Sequence, residues 1–276
     1  MRYGRFLWLV APLMAVAACS DDDGITHQPP PGPAALVRFI NAVPDLPSAD
    51  LRFVDKVENL PTMQGVPFRG GSGMYQRVEP GTRATRVFPT SSNVDEAKIR
   101  LIDTQLTLNG QARYTLLLAG RVADNSQALH VLDDPAQINR APAGQISVQL
   151  LHAAVGTNEV DVYVVPVDSA NAPLPADWAT NHVAKFSNVG YLERVAYTNM
   201  ATAASGKLYR FVVTAAGSTT PLFSGTPNLP GQTAPAGATY GPQPGVQIEG
   251  SVLTAVIFGG ASPTVGLFVD KTLDPQ

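Results

Sequence analysis

Apolar residues recur at every second position in short runs along most of this chain, and turn-forming residues separate the runs. In "ALVRFINAV", residues 35–43, Val37, Phe39 and Asn41 share one side and Leu36, Arg38 and Ile40 the other. "ADLRFVD" sets Leu51 and Phe53 against Arg52 and Val54. "VDVYVVPV" is denser in β-branched and aromatic residues, as a central strand is. The same period predicts strands near 74–78, 83–89, 98–103, 113–119 and 127–132. It predicts others at 146–152, 183–188, 192–197, 207–214, 246–250, 252–258 and 264–269. Helix is nearly absent: "AQINRA", 136–141, sits between Pro135 and Pro142 and allows one turn at most. Short strands spaced by Gly, Pro, Asn and Asp predict an all-β chain built as sandwiches.

One phrase occurs twice. "RFINAVPDLPSADLRFV", 38–54, returns as "QLLHAAVGTNEVDVYVV", 149–165, without a gap and with a shift of 111. The shift places Val37 on Val148, Asn41 on His152, Asp50 on Asp161 and Phe53 on Val164. A later echo, "LTLNGQARYTLLLAG" at 106–120 and "VQIEGSVLTAVIFGG" at 246–260, aligns with a shift of 140, pairing Leu117 with Ile257. The growth in shift predicts longer loops in the second half, notably 165–182 and 224–245. Two copies of one supersecondary plan account for both echoes, because a slip of one residue would turn every side chain over.

The N-terminus has a different logic. Arg2 and Arg5, the apolar "FLWLVAPLMAVAA" and then Cys19 form a secretion signal too short for a bilayer span. "VAAC", 16–19, resembles the bacterial lipoprotein signal, which implies cleavage after residue 18, lipidation of Cys19 and attachment to the outer membrane. Residues 19–33 then form a flexible tether, and Asp21–Asp23 within it read as a solvated charge run. Cys19 is the one cysteine in the chain, so the remainder has neither a disulfide nor a thiolate metal site. Loss of Arg2 and Arg5 takes the formal charge from −3 to about −5, which does not favour nucleic acid as a partner. The organisation expected is a signal peptide at 1–18, a tether at 19–33, and domains at 34–140 and 144–271.

"VRFINAVPDLPSADLRFVD" and "VQLLHAAVGTNEVDVYVVP" resemble the opening of DUF4397, a bacterial exported domain of uncharacterised function. Arg38, Asn41, Ala42 and Asp50 match its pattern in the first copy. His152, Ala153, Asp161, Val162 and Tyr163 match it in the second, where Gln149 replaces the usual arginine. The resemblance implies tandem immunoglobulin-like sandwiches in a lipoprotein or surface protein, and it names no reaction.

Candidate chemistry is sparse. Asp50 and Asp161 open apolar strands, where a carboxylate either pins loop amides or forms half of a ligand site; the pinning role is favoured. His152 is read as a hydrogen-bonded structural histidine rather than a base, because Asn41 takes its place in the first copy. "RGGSGM", 69–74, lacks the second glycine of a nucleophile elbow around Ser72 and reads as a flexible turn. Tyr75, Tyr163, Trp178, Tyr191, Tyr197, Tyr209 and Tyr240 form the aromatic pool for glycan or protein recognition. Trp178 stands out within the polar "PADWATNH", either as a platform or as a plug. No cofactor, metal or catalytic motif emerges. The function expected is non-catalytic binding of an envelope protein or polysaccharide. The alternatives are an envelope polysaccharide hydrolase using acids from both domains, and a structural spacer.

Overall fold

The computed structural model describes residues 32–56 and 60–273; the expected signal peptide, Cys19 and the expected tether up to residue 31 lie outside them. Among the described residues, sixteen strands form four sheets in two sandwich-like units. The first unit contains β1 (Ala35–Asn41), β2 (Ser48–Phe53), β3 (Val66–Pro67), β4 (Gln76–Val78), β5 (Gly81–Pro89), β6 (Ile102–Leu108), β7 (Arg113–Ala119) and β8 (Ala128–Asp134). The second contains β9 (Gln145–Ala153), β10 (Val160–Val167), β11 (Phe186–Val189), β12 (Arg194–Ala201), β13 (Leu208–Ala215), β14 (Pro221–Gly225), β15 (Val252–Phe258) and β16 (Thr264–Val269).

Sheet order is the same in both. The first unit pairs β4-β1-β7-β8 and β3-β2-β5-β6; the second pairs β12-β9-β15-β16 and β11-β10-β13-β14. β1 with β7, and β9 with β15, are the parallel pairs. Each unit has its own interior. Val37, Phe39, Leu116 and Leu118 meet Leu51, Val87 and Leu106 in the first. Val148, Leu150, Leu253 and Ala255 meet Val162, Phe211 and Val213 in the second.

The two units do not stop at their own interiors. The second face of β1, β7, β9 and β15 packs sheet against sheet, joining Ile40, Leu117, Leu151, Val256 and Phe258 in a third apolar layer. Four sheets therefore stack in series, and the two inner ones are buried on both faces. This burial explains why "RYTLLLA" and "VLTAVIF" read as nearly unbroken apolar runs.

Several local expectations need correcting. Residues 246–250 form turns rather than a strand, tied by Ile248 N–H to Gly245 O at 3.1 Å and Val246 N–H to Leu229 O at 2.9 Å. The strand expected at 98–103 begins only at Ile102, after a one-turn helix, α1 (Val94–Ala97), capped by the Asn93 side chain. A second single turn, α2 (Trp178–Asn181), lies in the loop after β10. β3 and β14 had no clear alternation to reveal them.

The later echo is also one residue out of register. Arg38 lies level with Thr115 in the parallel pair of the first unit, and Gln149 with Thr254 in the second. Since 38 corresponds to 149, Thr115 corresponds to Thr254, so the strand shift is 139 and Leu117 aligns with Val256. Glycines beyond the strand ends suggested 140, but inside the strand that slip would exchange the two faces.

Candidate functional site

Asn41 is the last residue of β1 and His152 the last but one of β9; both face the unit interiors and are fully buried. Asn41 Oδ1 accepts from Val43 N–H at 3.1 Å, while its amide donates to Leu46 O and Val66 O, both at 3.2 Å. His152 Nδ1 accepts from Ala154 N–H at 3.2 Å and its Nε2 meets Asn158 O at 3.1 Å. Both side chains accept from the amide two residues on and donate to a carbonyl across the following loop. The partners fix His152 as the neutral tautomer protonated on Nε2. Burial lowers its pKa, which the Asn158 carbonyl and Glu193 only partly oppose.

Asp50 and Asp161 likewise hold loops. Asp50 Oδ1 accepts from Gly65 N–H at 2.8 Å and Thr90 Oγ at 2.5 Å, and its Oδ2 pairs with Arg52 at 2.6 Å. Asp161 accepts from Asn188 N–H and Gly217 N–H, both at 2.8 Å. Asp50 thus joins the loop before β3 to the loop after β5, and Asp161 joins β11 itself to the loop after β13. Burial opposes the charge on Asp50, but the donors Thr90, Gly65 and Arg52 outweigh it and lower the pKa.

Trp178 is a plug. It is 7 % exposed and meets Tyr163 edge to face, with centroids 5.0 Å apart. With Val165 and Val212 they form an apolar patch on the outer face of the β10–β13 sheet. By register, Tyr163 and Val212 occupy the places of Arg52 and Arg86 in the first unit. There the equivalent face is polar and needs no cover. Ser72 is 6 % exposed and is not a flexible turn: its N–H donates to Phe39 O at 2.8 Å, and Phe39 N–H donates to its Oγ at 3.0 Å.

Those results concern positions visible in the sequence. A cluster that was not visible lies in the seam between the units. Arg38 extends from β1 to Asp270 Oδ1 at 2.6 Å, Thr115 Oγ at 3.0 Å and Thr254 Oγ at 3.3 Å. Asp270 also accepts from Thr254 at 2.8 Å and Tyr197 at 3.0 Å. In the matching place, Asp134 accepts from Thr115 at 2.6 Å, Tyr75 at 3.0 Å and Arg194 at 2.5 Å. Asp134 is level with Arg113 as Asp270 is with Val252, so the two carboxylates are equivalent. Each takes its arginine from the other unit. Gln149, at the position of Arg38, donates instead to Thr254 at 2.8 Å. The cluster spans 232 residues of sequence at its widest pair, beyond the reach of any local pattern.

Part of the chain is similar to a known sequence family. Residues 35–163 match DUF4397, a domain of unknown function. The DUF4397 match takes in the first unit and ends within β10, so it includes Arg38, Asn41, Asp50, His152 and Asp161. No curated protein matches the chain. Among solved structures, a family 41 carbohydrate-binding module from streptococcal virulence factors, described for α-glucan recognition, is 13 % identical. The alignment covers 86 % of this chain and 98 % of that one, with a TM-score of 0.25. A second, described for α-glucan binding by a streptococcal virulence factor, is 12 % identical over 86 % and 97 %, with a TM-score of 0.24. Superposition this poor decides nothing about the site.

The two units differ in their insertions. Residues 109–112 join β6 to β7, whereas 226–251 join β14 to β15. The long segment folds back on itself. Gln232 and Gln243 form a two-way backbone bridge, Gln247 N–H donates to Pro230 O at 2.9 Å, and Gly245 passes against Gly231. A Cβ on Gly245 would stand 2.1 Å from Gly231 N, so the crossing requires glycine. A groove of about 400 Å³ opens in this insertion. Tyr240, on its rim, is 57 % exposed, whereas Tyr163 and Tyr209 are buried and Tyr75 and Tyr197 hold the seam. Among the described residues no group of three or more His, Cys, Asp or Glu is placed to hold a metal.

Proposed function

We propose that this protein is a non-catalytic envelope lipoprotein that binds an envelope polysaccharide or protein. In this reading Cys19 carries acyl chains, residues 20–33 form the tether, and 34–140 and 144–271 are two tandem DUF4397 domains. The shared strand order, and the matched roles of Asn41 with His152 and of Asp50 with Asp161, support counting the second unit as a copy.

The observation that favours binding over hydrolysis is the state of the acids brought together from both units. A glycosidase needs two carboxyl groups facing a substrate across a cleft. Asp270 and Asp134 are 0 % and 8 % exposed, and each is engaged by an arginine, a tyrosine and a threonine. What the second unit adds to the common scaffold is loop, which is where a rigid β-framework acquires recognition.

The test uses the purified full-length chain with isolated envelopes and envelope polysaccharide. Saturable co-sedimentation without release of reducing ends is the expected result. Protein-dependent release of reducing ends would overturn it in favour of a hydrolase. For the anchor, intact mass should show acyl chains on the wild-type protein and none on Cys19→Ala; acyl mass on the variant would defeat the assignment.

A further inference from the structure

We infer that the groove in the 226–251 insertion is a binding site for an uncharged polysaccharide, with the Tyr240 ring as its stacking surface. The inference rests on the binding function proposed above and supplies its site and ligand class. The groove is built rather than incidental. Its two arms are bridged at Gln232 and Gln243, Glu249 Oε2 accepts from Gly144 N–H at 2.7 Å, and the Gln247 amide donates to Lys207 O at 2.7 Å. These contacts fasten the insertion to the end of the second unit where β9 and β15 begin.

Charge selects the ligand class. Thr233, Pro235, Tyr240, Pro242, Gln247 and Glu249 line the groove, and no lysine or arginine does. An acidic polysaccharide or a phosphorylated ligand would find no cation there and would meet the Glu249 carboxylate. A purely apolar ligand would desolvate hydroxyl and amide groups without replacing their hydrogen bonds. A neutral sugar chain offers hydroxyls for Thr233 and Gln247, and the C–H face of a ring for Tyr240 and the prolines. A shallow depression lined by Ser205, Gln232 and Thr233 adjoins the groove through Thr233, Gln247 and Ile248, which border both. The continuous track suits several residues of a chain better than one free sugar.

The experiment is affinity electrophoresis of the full-length protein through gels containing a neutral glucan, mannan or galactan. Parallel gels contain an acidic polysaccharide, and a proline-rich peptide is titrated in solution. Retardation in at least one neutral polymer is expected, weakened about tenfold by Tyr240→Ala and within about twofold of wild type for Tyr240→Phe. Val183→Ser, an exposed substitution in the loop between β10 and β11, should leave the retardation unchanged. Circular dichroism establishes that each variant is folded. Tyr240-dependent binding confined to the acidic polymer or the peptide would keep the site and overturn its ligand class. Binding of envelopes that survives Tyr240→Ala would overturn the site while leaving the binding function standing. No retardation in any neutral polymer would overturn the inference.

Discussion

Replacing Arg38 by methionine tests the seam between the units most directly. The guanidinium is fully buried, donates to Asp270, Thr115 and Thr254, and stacks 4.8 Å from the Tyr75 ring. Methionine fills much of the volume but leaves the Asp270 carboxylate with only Thr254 and Tyr197 as donors. Removing one partner of a buried ion pair costs about 3–5 kcal/mol, because the remaining charge stays desolvated. For a body of this size the melting temperature should fall by roughly 6–20 °C. Arg194→Met at the equivalent carboxylate should cost only about 1–2 kcal/mol, since the Arg194 side chain is 25 % exposed and water can replace it. The double variant Arg38→Met/Asp270→Asn removes both charges and should recover most of the loss, with a coupling of about 2 kcal/mol or more. Urea denaturation of the wild type, Arg38→Met, Asp270→Asn, their double variant and Arg194→Met, followed by circular dichroism, gives the numbers. An Arg38→Met cost under about 1 kcal/mol, or an additive cycle, would refute the claim that this pair is a buried, mutually dependent unit.

Other expectations follow from the same geometry. His152 has its pKa lowered by burial, so the unfolded chain binds a proton near pH 6.5 that the folded chain does not. Its contribution to stability is present above that pH and is lost as pH falls, by up to about 1.4 kcal/mol per unit. His152→Asn, copying Asn41, should flatten the stability–pH curve below about pH 6.5, leaving the share due to His130, whose pKa burial also lowers; an unchanged curve would exclude His152 as its source. Asp50→Ala should cost about 1–3 kcal/mol by orphaning Gly65 N–H and Thr90, with envelope binding intact in the folded fraction; selective loss of binding would make Asp50 a ligand group. Trp178→Ala should cost about 3–5 kcal/mol and expose Tyr163, Val165 and Val212, read as increased binding of a hydrophobic dye; a neutral effect would contradict its role as a plug.

Much of this fold is written locally. Alternation marks β1 and β2, apolar runs bounded by turn residues mark β9, β10 and β15, and the gapless repeat fixes the correspondence of β1 with β9 and of β2 with β10. It also let Asn41 explain His152: two residue types with one hydrogen-bonding duty argue against imidazole chemistry. The pinning aspartates were legible for the same reason. Trp178 was seen as out of place in a polar loop, but only the packing shows why. The second unit replaces the outward Arg52 and Arg86 with Tyr163 and Val212 and must cover them. Arg38, Asp134 and Asp270 escaped because their significance depends on two sheets meeting, and strand periodicity carries no information about which outer faces adhere. Tyr240 was one aromatic among several until folding buried or engaged most of the others. The groove beside it depends on Gly245 crossing Gly231, a contact between residues with no side-chain pattern to announce it.

The exchanged arginines bear on how such a molecule can diverge. Two separate identical chains meeting through this face would have to repair the same pair twice, because any substitution appears on both sides at once. A single polypeptide is released from that symmetry. Here one carboxylate keeps its cation at position 38, the other receives it from position 194, and glutamine at 149 is free to serve Thr254 instead. Covalent linkage thus lets equivalent positions specialise while the joint between the halves remains closed.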